Sequence, residues 1–143
     1  MKKILVLNGP NLNMLGKRDP AIYGADTLPM IEALMQEYAG QHDITLAFFQ
    51  SNHEGSLIDK IHECGASCDG IILNAGAYSH TSYAIADALS CVPAPCIEVH
   101  LSNVYAREEF RRKSVLAPVC VGCICGVGKD SYLLAIDALR RRS

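Results

Sequence analysis

A chain of 143 residues has the length of one domain, enough to bury roughly two-thirds of the surface its unfolded form exposes. Half of the residues are apolar, a fifth are charged and the net charge is −2, which excludes a basic nucleic-acid footprint and a disordered acidic tail and points to a small partner. No apolar stretch approaches the roughly 20 residues of a membrane span, and no linker, repeat or low-complexity segment divides the chain.

The opening MKKILVLNG sets two lysines before an apolar run, as a signal peptide does, but Asn8, Gly9 and Pro10 stop the run after Leu7. KILVL therefore reads as the first strand. After a loop from Asn8 to Gly24, DTLPMIEALMQEYAGQHD reads as a helix, with Asp26 or Thr27 as cap, Pro29 in its first turn and Gly40 near its end. ITLAFF is the second strand. EGSLIDKIHECGAS carries the 3.6-residue period through Leu57, Ile58 and Ile61, and GIILN follows as the third strand. SYAIADALS is a helix, APCIEV the fourth strand, REEFRRKS a short charged helix, VCVGCIC the fifth strand and DSYLLAIDALRRR the closing helix.

Seven cysteines, at 64, 68, 91, 96, 120, 123 and 125, invite a disulfide or metal reading. With no secretion signal the expected compartment is the reducing cytoplasm, and an odd count fits paired bridges poorly. Cys120 and Cys123 form a C-x-x-C, but in a buried strand side chains three apart point to opposite faces and cannot grip one ion. The cysteines read as small buried apolar residues.

Five strands alternating with helices imply an α/β fold, a parallel sheet covered on both faces through right-handed crossovers. The commonest order for this count is the flavodoxin-like 2-1-3-4-5, a three-layer sandwich with its ligand crevice beyond the carboxyl ends of the first and third strands. Strand one runs into Asn8 and the loop LNGPNLNMLGKRDPAIYG, strand three into NAGAYSH and strand four into EVHLSN. Three polar tips on one edge, with two histidines and an Arg-Tyr pair, suit a small, heavily hydroxylated ligand.

Tyrosine titrates at about pH 10 and is a poor base at neutrality, but a fixed guanidinium beside it favours phenolate. Arg18 precedes Tyr23 by five residues on the same loop. A Tyr base, a His acid and an amide-held water suit removal of a proton next to a carbonyl followed by loss of hydroxide as water. Lysines occur only at 2, 3, 17, 60, 113 and 129, none at a strand tip, so a Schiff-base route has no evident nucleophile. Each of these residues also has a commoner use, Tyr in packing and Asn or Gly in turns, and the residues by themselves reach no further than a small-molecule site suited to acid/base chemistry.

NGPNLNMLGKRDPAIYG, FFQSNHEGSLIDKIHE, NAGAYSHTSYAIADAL, EVHLSNVYAREEFRRKS and GCICGVGKDSYLLAIDAL stand in the order in which the type II 3-dehydroquinate dehydratases carry such segments, and the chain resembles that family over essentially its whole length. The resemblance implies a single catalytic domain over 1–143, a hydro-lyase with no cofactor or metal, whose reaction serves both aromatic biosynthesis by the shikimate pathway, the favoured role, and quinate breakdown. It also implies a homododecamer assembled as a tetramer of trimers. Carried over by position, Tyr23 would remove the C2 proton of 3-dehydroquinate to give an enolate, with Arg18 keeping Tyr23 ionised. Asn11 would hold the water that helps the enolate form, and His100, oriented by Glu98, would protonate the departing C1 hydroxyl in an anti elimination. Leu101 and Ser102 would receive the substrate carboxylate on their backbone N–H groups, and Asn74, His80 and Arg111 would contact its hydroxyls. Arg107 would help close the site, and Asp87 would reach in from a neighbouring subunit. Gly9, Gly16 and Gly24, with Pro10 and Pro20, would let the first loop swing as a lid.

The chain departs from the family's usual pattern at Ala75, where Pro is common, at Met14 and Tyr105, where Leu and His are frequent, and in its cysteine-rich fifth strand. None of these removes a proposed catalytic group. Other uses of the fold fit less well. Nothing from Asn8 to Ile22 is Ser or Thr, unlike a flavin phosphate loop, the strand tips lack a receiver's acidic cluster, and the stretch CICGVGKD has Cys123 and Asp130 where a P-loop needs Gly and Ser/Thr.

Overall fold

The first strand, β1 (Lys2–Asn8), is buried on both faces from Ile4 onward, as a central parallel strand must be. The structure, a computed structural model, describes residues 2–142. After β1 come a four-residue helix α1 (Pro20–Tyr23), α2 (Leu28–Gly40), β2 (Ile44–Gln50), α3 (Glu54–Cys64) and β3 (Gly70–Asn74). The chain continues through α4 (Tyr83–Ser90), β4 (Cys96–His100), β5 (Gly122–Cys125) and α5 (Asp130–Arg140). The five strands form one parallel sheet in the order β2-β1-β3-β4-β5, as expected.

Alternation along each strand splits the core into two layers. Ile4 and Val6 of β1, with Ile72, Ile97 and Val99, pack under α2 and α5 through Ile31, Met35, Tyr132 and Ile136. Leu5, Leu7, Ile71 and Leu73 face the other way, against Leu57 and Ile61 of α3 and Ile85 and Leu89 of α4. Of the two candidate caps for α2, Thr27 takes the role, its hydroxyl accepting the Met30 N–H at 3.3 Å, with Pro29 in the first turn.

Two expectations need correction. The charged segment REEFRRKS supplies only a single 3₁₀ turn, Glu109–Arg112. The fifth strand is four residues long because Pro118 starts a 3₁₀ turn at Ala117–Val119, and as an edge strand it is only partly covered. Its cysteines are therefore not core residues: Cys123 is exposed, Cys120 and Cys125 are half-buried, and Cys96 on β4 is the one fully buried cysteine. Among the described residues, no helix is long and apolar enough to cross a membrane.

Candidate active site

The floor of the site is a polar junction at the carboxyl ends of β1 and β3. Register sets Asn8 opposite Asn74, both buried. Tyr132 of α5 joins them: its hydroxyl accepts from Asn74 Nδ2 at 3.0 Å and donates to Asn8 Oδ1 at 2.5 Å. Burial pushes the Tyr132 phenol far above its ordinary range, so it stays a neutral donor. Gly9 N–H donates to the Asn74 carbonyl at 2.7 Å, and a Cβ at Gly9 would sit 2.6 Å from the Ala75 carbonyl oxygen, so only glycine lets the two tips close together. Sequence reading missed Tyr132. Its signal was a lone hydroxyl-bearing ring on the apolar face of the closing helix.

Above this floor lies a cavity of about 120 Å³. Ten of the twelve expected site residues line it: Asn11, Arg18, Tyr23, Asn74, His80, His100, Leu101, Ser102, Arg107 and Arg111. Glu98 stands behind His100 instead, and Asp87 is exposed on α4 away from the cavity of its own chain.

Tyr23 sits between two guanidinium groups. Arg18 Nη2 donates to Tyr23 Oη at 2.9 Å, and the Arg18 guanidinium carbon is 4.2 Å from the ring centroid, with that of Arg107 at 5.0 Å. The stretch bearing Arg18 and Tyr23 is bracketed by Gly16 and Gly24, at φ +88° and +86°, a conformation that favours glycine. Tyr23 ends the short helix α1, which the sequence reading left as loop although Pro20 is a good first helical residue. Just beyond, Asp26 pairs with Lys129 at 3.2 Å, tying the loop to the start of α5.

Arg107 Nη1 donates to Ser102 Oγ at 3.2 Å, while its buried Nε has no acceptor. Arg111 is paired with Glu108, whose carboxyl that contact holds below the usual range. Among the described residues, no carboxylate lines the cavity alongside Arg18, Arg107 and Arg111, so the lining favours an anionic ligand.

Glu98 is fully buried on β4 and sits two residues from His100, hence on the same strand face. Its Oε2 holds His100 Nε2 at 2.5 Å, and its Oε1 accepts the Ser114 hydroxyl at 2.7 Å. Ser114 Oγ in turn accepts the N–H groups of Leu116 and Ala117, which fixes the carboxylate from behind. The His80 ring lies nearly parallel to that of His100, 6.5 Å away, with its Nδ1–H donating to the Lys113 carbonyl at 2.7 Å and Phe110 edge-on against it. Asn11 is left-handed at φ +70°, and its N–H donates to Asn52 Oδ1 at 3.0 Å. Gln50 at the end of β2 braces Asn52 and the Gly9 carbonyl. Neither Ser114 nor Asn52 stood out in the sequence, because each reaches the site through another residue.

The arrangement offers a phenol oxygen held by a cation, an imidazole held by a buried carboxylate, and cationic walls between them. That is equipment for moving two protons on a small anionic ligand.

Comparison with known proteins gives a single answer. Residues 2–140 match the family described as dehydroquinase class II. The chain is 54% identical over 141 residues to a 3-dehydroquinate dehydratase of Caldicellulosiruptor saccharolyticus, covering 98% of this chain and 97% of that one. It is 57% identical over 137 residues to the enzyme of the same name from Bacillus licheniformis, covering 96% and 94%. The crystal structure of the type II dehydroquinase from Butyrivibrio crossotus superposes with a TM-score of 0.95 at 51% identity, covering 97% of each chain. On this sequence and this fold, the chain belongs to the dehydroquinase class II family.

Proposed function

We propose that the chain is a type II 3-dehydroquinate dehydratase acting as one catalytic domain, and that it removes water from 3-dehydroquinate to give 3-dehydroshikimate by anti elimination. The observation that carries this reading is the Arg18–Tyr23 hydrogen bond of 2.9 Å in the same cavity as His100, which Glu98 holds from behind. The Arg18 guanidinium stabilises negative charge on Tyr23 Oη, so the phenolate takes a C2 proton and the electron pair forms the enolate at C3. A water held by Asn11 supports the enolate oxygen. His100, its Nε2 committed to Glu98, gives a proton from its other nitrogen to the C1 hydroxyl as the C1–O bond breaks, and Glu98 stabilises the charged ring before transfer.

The substrate carboxylate sits at the Leu101–Ser102 backbone, next to the unpaired Arg107 Nε, and the ring hydroxyls meet Asn74, His80 and Arg111. Asn74 offers them little beyond its remaining capacity, since both ends of its amide already bond Tyr132 and Gly76. Asp87, outside the cavity of its own chain, serves a neighbouring subunit's site in a homododecamer assembled as a tetramer of trimers, in the cytoplasm, on the biosynthetic side of shikimate metabolism. A sedimentation profile showing only monomer would remove the role given to Asp87.

The test is ultraviolet absorbance after mixing the protein with 3-dehydroquinate, because dehydration creates a conjugated enone carboxylate. A rise that Tyr23→Phe and His100→Ala each abolish in folded protein is the expected result. A folded, assembled wild-type protein that gives no rise sinks the reading.

A further inference from the structure

β5 places a thiol beside the proposed acid pair from outside the substrate cavity. Cys123 is the register partner of Glu98 across β4 and β5, and His100 lies two residues from Glu98, so all three side chains share one face of the sheet. One donor atom of each lies within 4.8 Å of the others. A tetrahedral thiolate, imidazole and carboxylate set at ordinary zinc bond lengths spans roughly 3.5 Å between ligand atoms, so Glu98 Oε2 and His100 Nε2, 2.5 Å apart, open by about an ångström while the widest contact closes by about as much. The exposed edge position of Cys123 permits that movement. A second cleft, of about 480 Å³, is lined by Glu98, His100 and Cys123 together with Tyr105 and Pro118, and Tyr23 is not part of its lining. Arg111 and Arg112 also line it and oppose a cation, although Arg111 is neutralised by Glu108.

We propose that Glu98, His100 and Cys123 form an inhibitory site for a thiophilic divalent cation such as Zn²⁺ or Cd²⁺. Hard cations such as Mg²⁺ or Ca²⁺, which take oxygen ligands, are excluded by the donor set. Binding releases the thiol proton and the proton between His100 Nε2 and Glu98 to solvent, occupies the carboxylate that orients His100 and ties down its imidazole, so turnover stops while the substrate cavity stays open. The effect on turnover rests on the function proposed above; the binding does not.

The test titrates Cd²⁺ into the full-length protein, following the thiolate-to-metal charge-transfer absorbance and, separately, the turnover of 3-dehydroquinate against each variant's own metal-free rate. Expected is a Cd²⁺ affinity weakened roughly tenfold or more in Cys123→Ser and Cys123→Ala, with chelator-reversible inhibition lost in parallel. Cys91→Ser, at the other exposed cysteine, should respond as wild type. Equal Cd²⁺ binding and inhibition in wild type and both Cys123 variants would overturn the site. A protein that binds Cd²⁺ through Cys123 but shows no metal-free turnover would keep the site and remove the enzyme reading instead.

Discussion

Arg18 Nη2 lies 2.9 Å from Tyr23 Oη, and the same guanidinium reaches over the Tyr23 ring. Both residues sit between two left-handed glycines, so the contact is made within one short segment. Replacing Arg18 by Ala removes the charge and the donor together. Turnover should fall about 10²–10³-fold, the usual cost of losing one donor to a developing anion. Lys at 18 should recover only part, because a point charge does not reproduce the planar fork. Steady-state kcat for the three proteins decides this, and an unchanged kcat in Arg18→Ala would end the activating role.

Glu98 is held by Ser114 and holds His100. Glu98→Gln keeps shape and most hydrogen bonds but loses the charge that supports a protonated imidazole. We expect kcat to drop about 10²–10⁴-fold, the range a positioned acid contributes, with a much smaller change in KM. A raised KM with kcat unchanged would make Glu98 a substrate-binding residue instead.

Tyr132→Phe should cost about 1–3 kcal/mol in denaturant unfolding, because Asn8 Oδ1 and Asn74 Nδ2 lose a buried partner while the ring still fills its space. A Phe variant as stable as wild type would mean that the amides find other partners.

Asp137 is partly desolvated, which raises its carboxyl, but hydrogen bonds from Tyr38 and Arg140 outweigh that and hold it below the usual range. A depressed carboxyl contributes stability that is complete above its unfolded value of about 4 and is lost as pH falls through the lower folded value. Tyr38, raised by its hydrogen bond to Asp137, contributes in the opposite sense: its share is complete below about pH 10 and is lost as pH rises through the higher folded value. The melting temperature of wild type should therefore fall more steeply than that of Asp137→Asn below about pH 4. Parallel profiles would count against the network.

The sheet order and the strand tips were legible because each strand is a short β-rich run, three of them ending in Asn8, Asn74 and His100, and a doubly wound sheet puts such ends on one edge. Tyr23 and His100 came with those tips. Three features depended on long-range contacts that no local pattern announces. Tyr132 is 58 residues from Asn74 and its role exists only once α5 packs across β1 and β3. Ser114 meets Glu98 only because the chain after the 3₁₀ turn at Glu109–Arg112 doubles back on β4. Cys123 was misread as core because VCVGCIC has the composition of a central strand, and only the topology makes β5 an edge.

The most direct test of the assignment of base and acid separates the two proton transfers. Incubating 3-dehydroquinate with each protein in deuterated water and following C2 by NMR reads proton removal independently of water loss. The account predicts that His100→Ala exchanges one of the two C2 hydrogens for deuterium while forming little product, and that Tyr23→Phe gives neither exchange nor product above a protein-free control. Stereospecific exchange that persists in Tyr23→Phe would contradict it, because the proton would then be leaving to some other group.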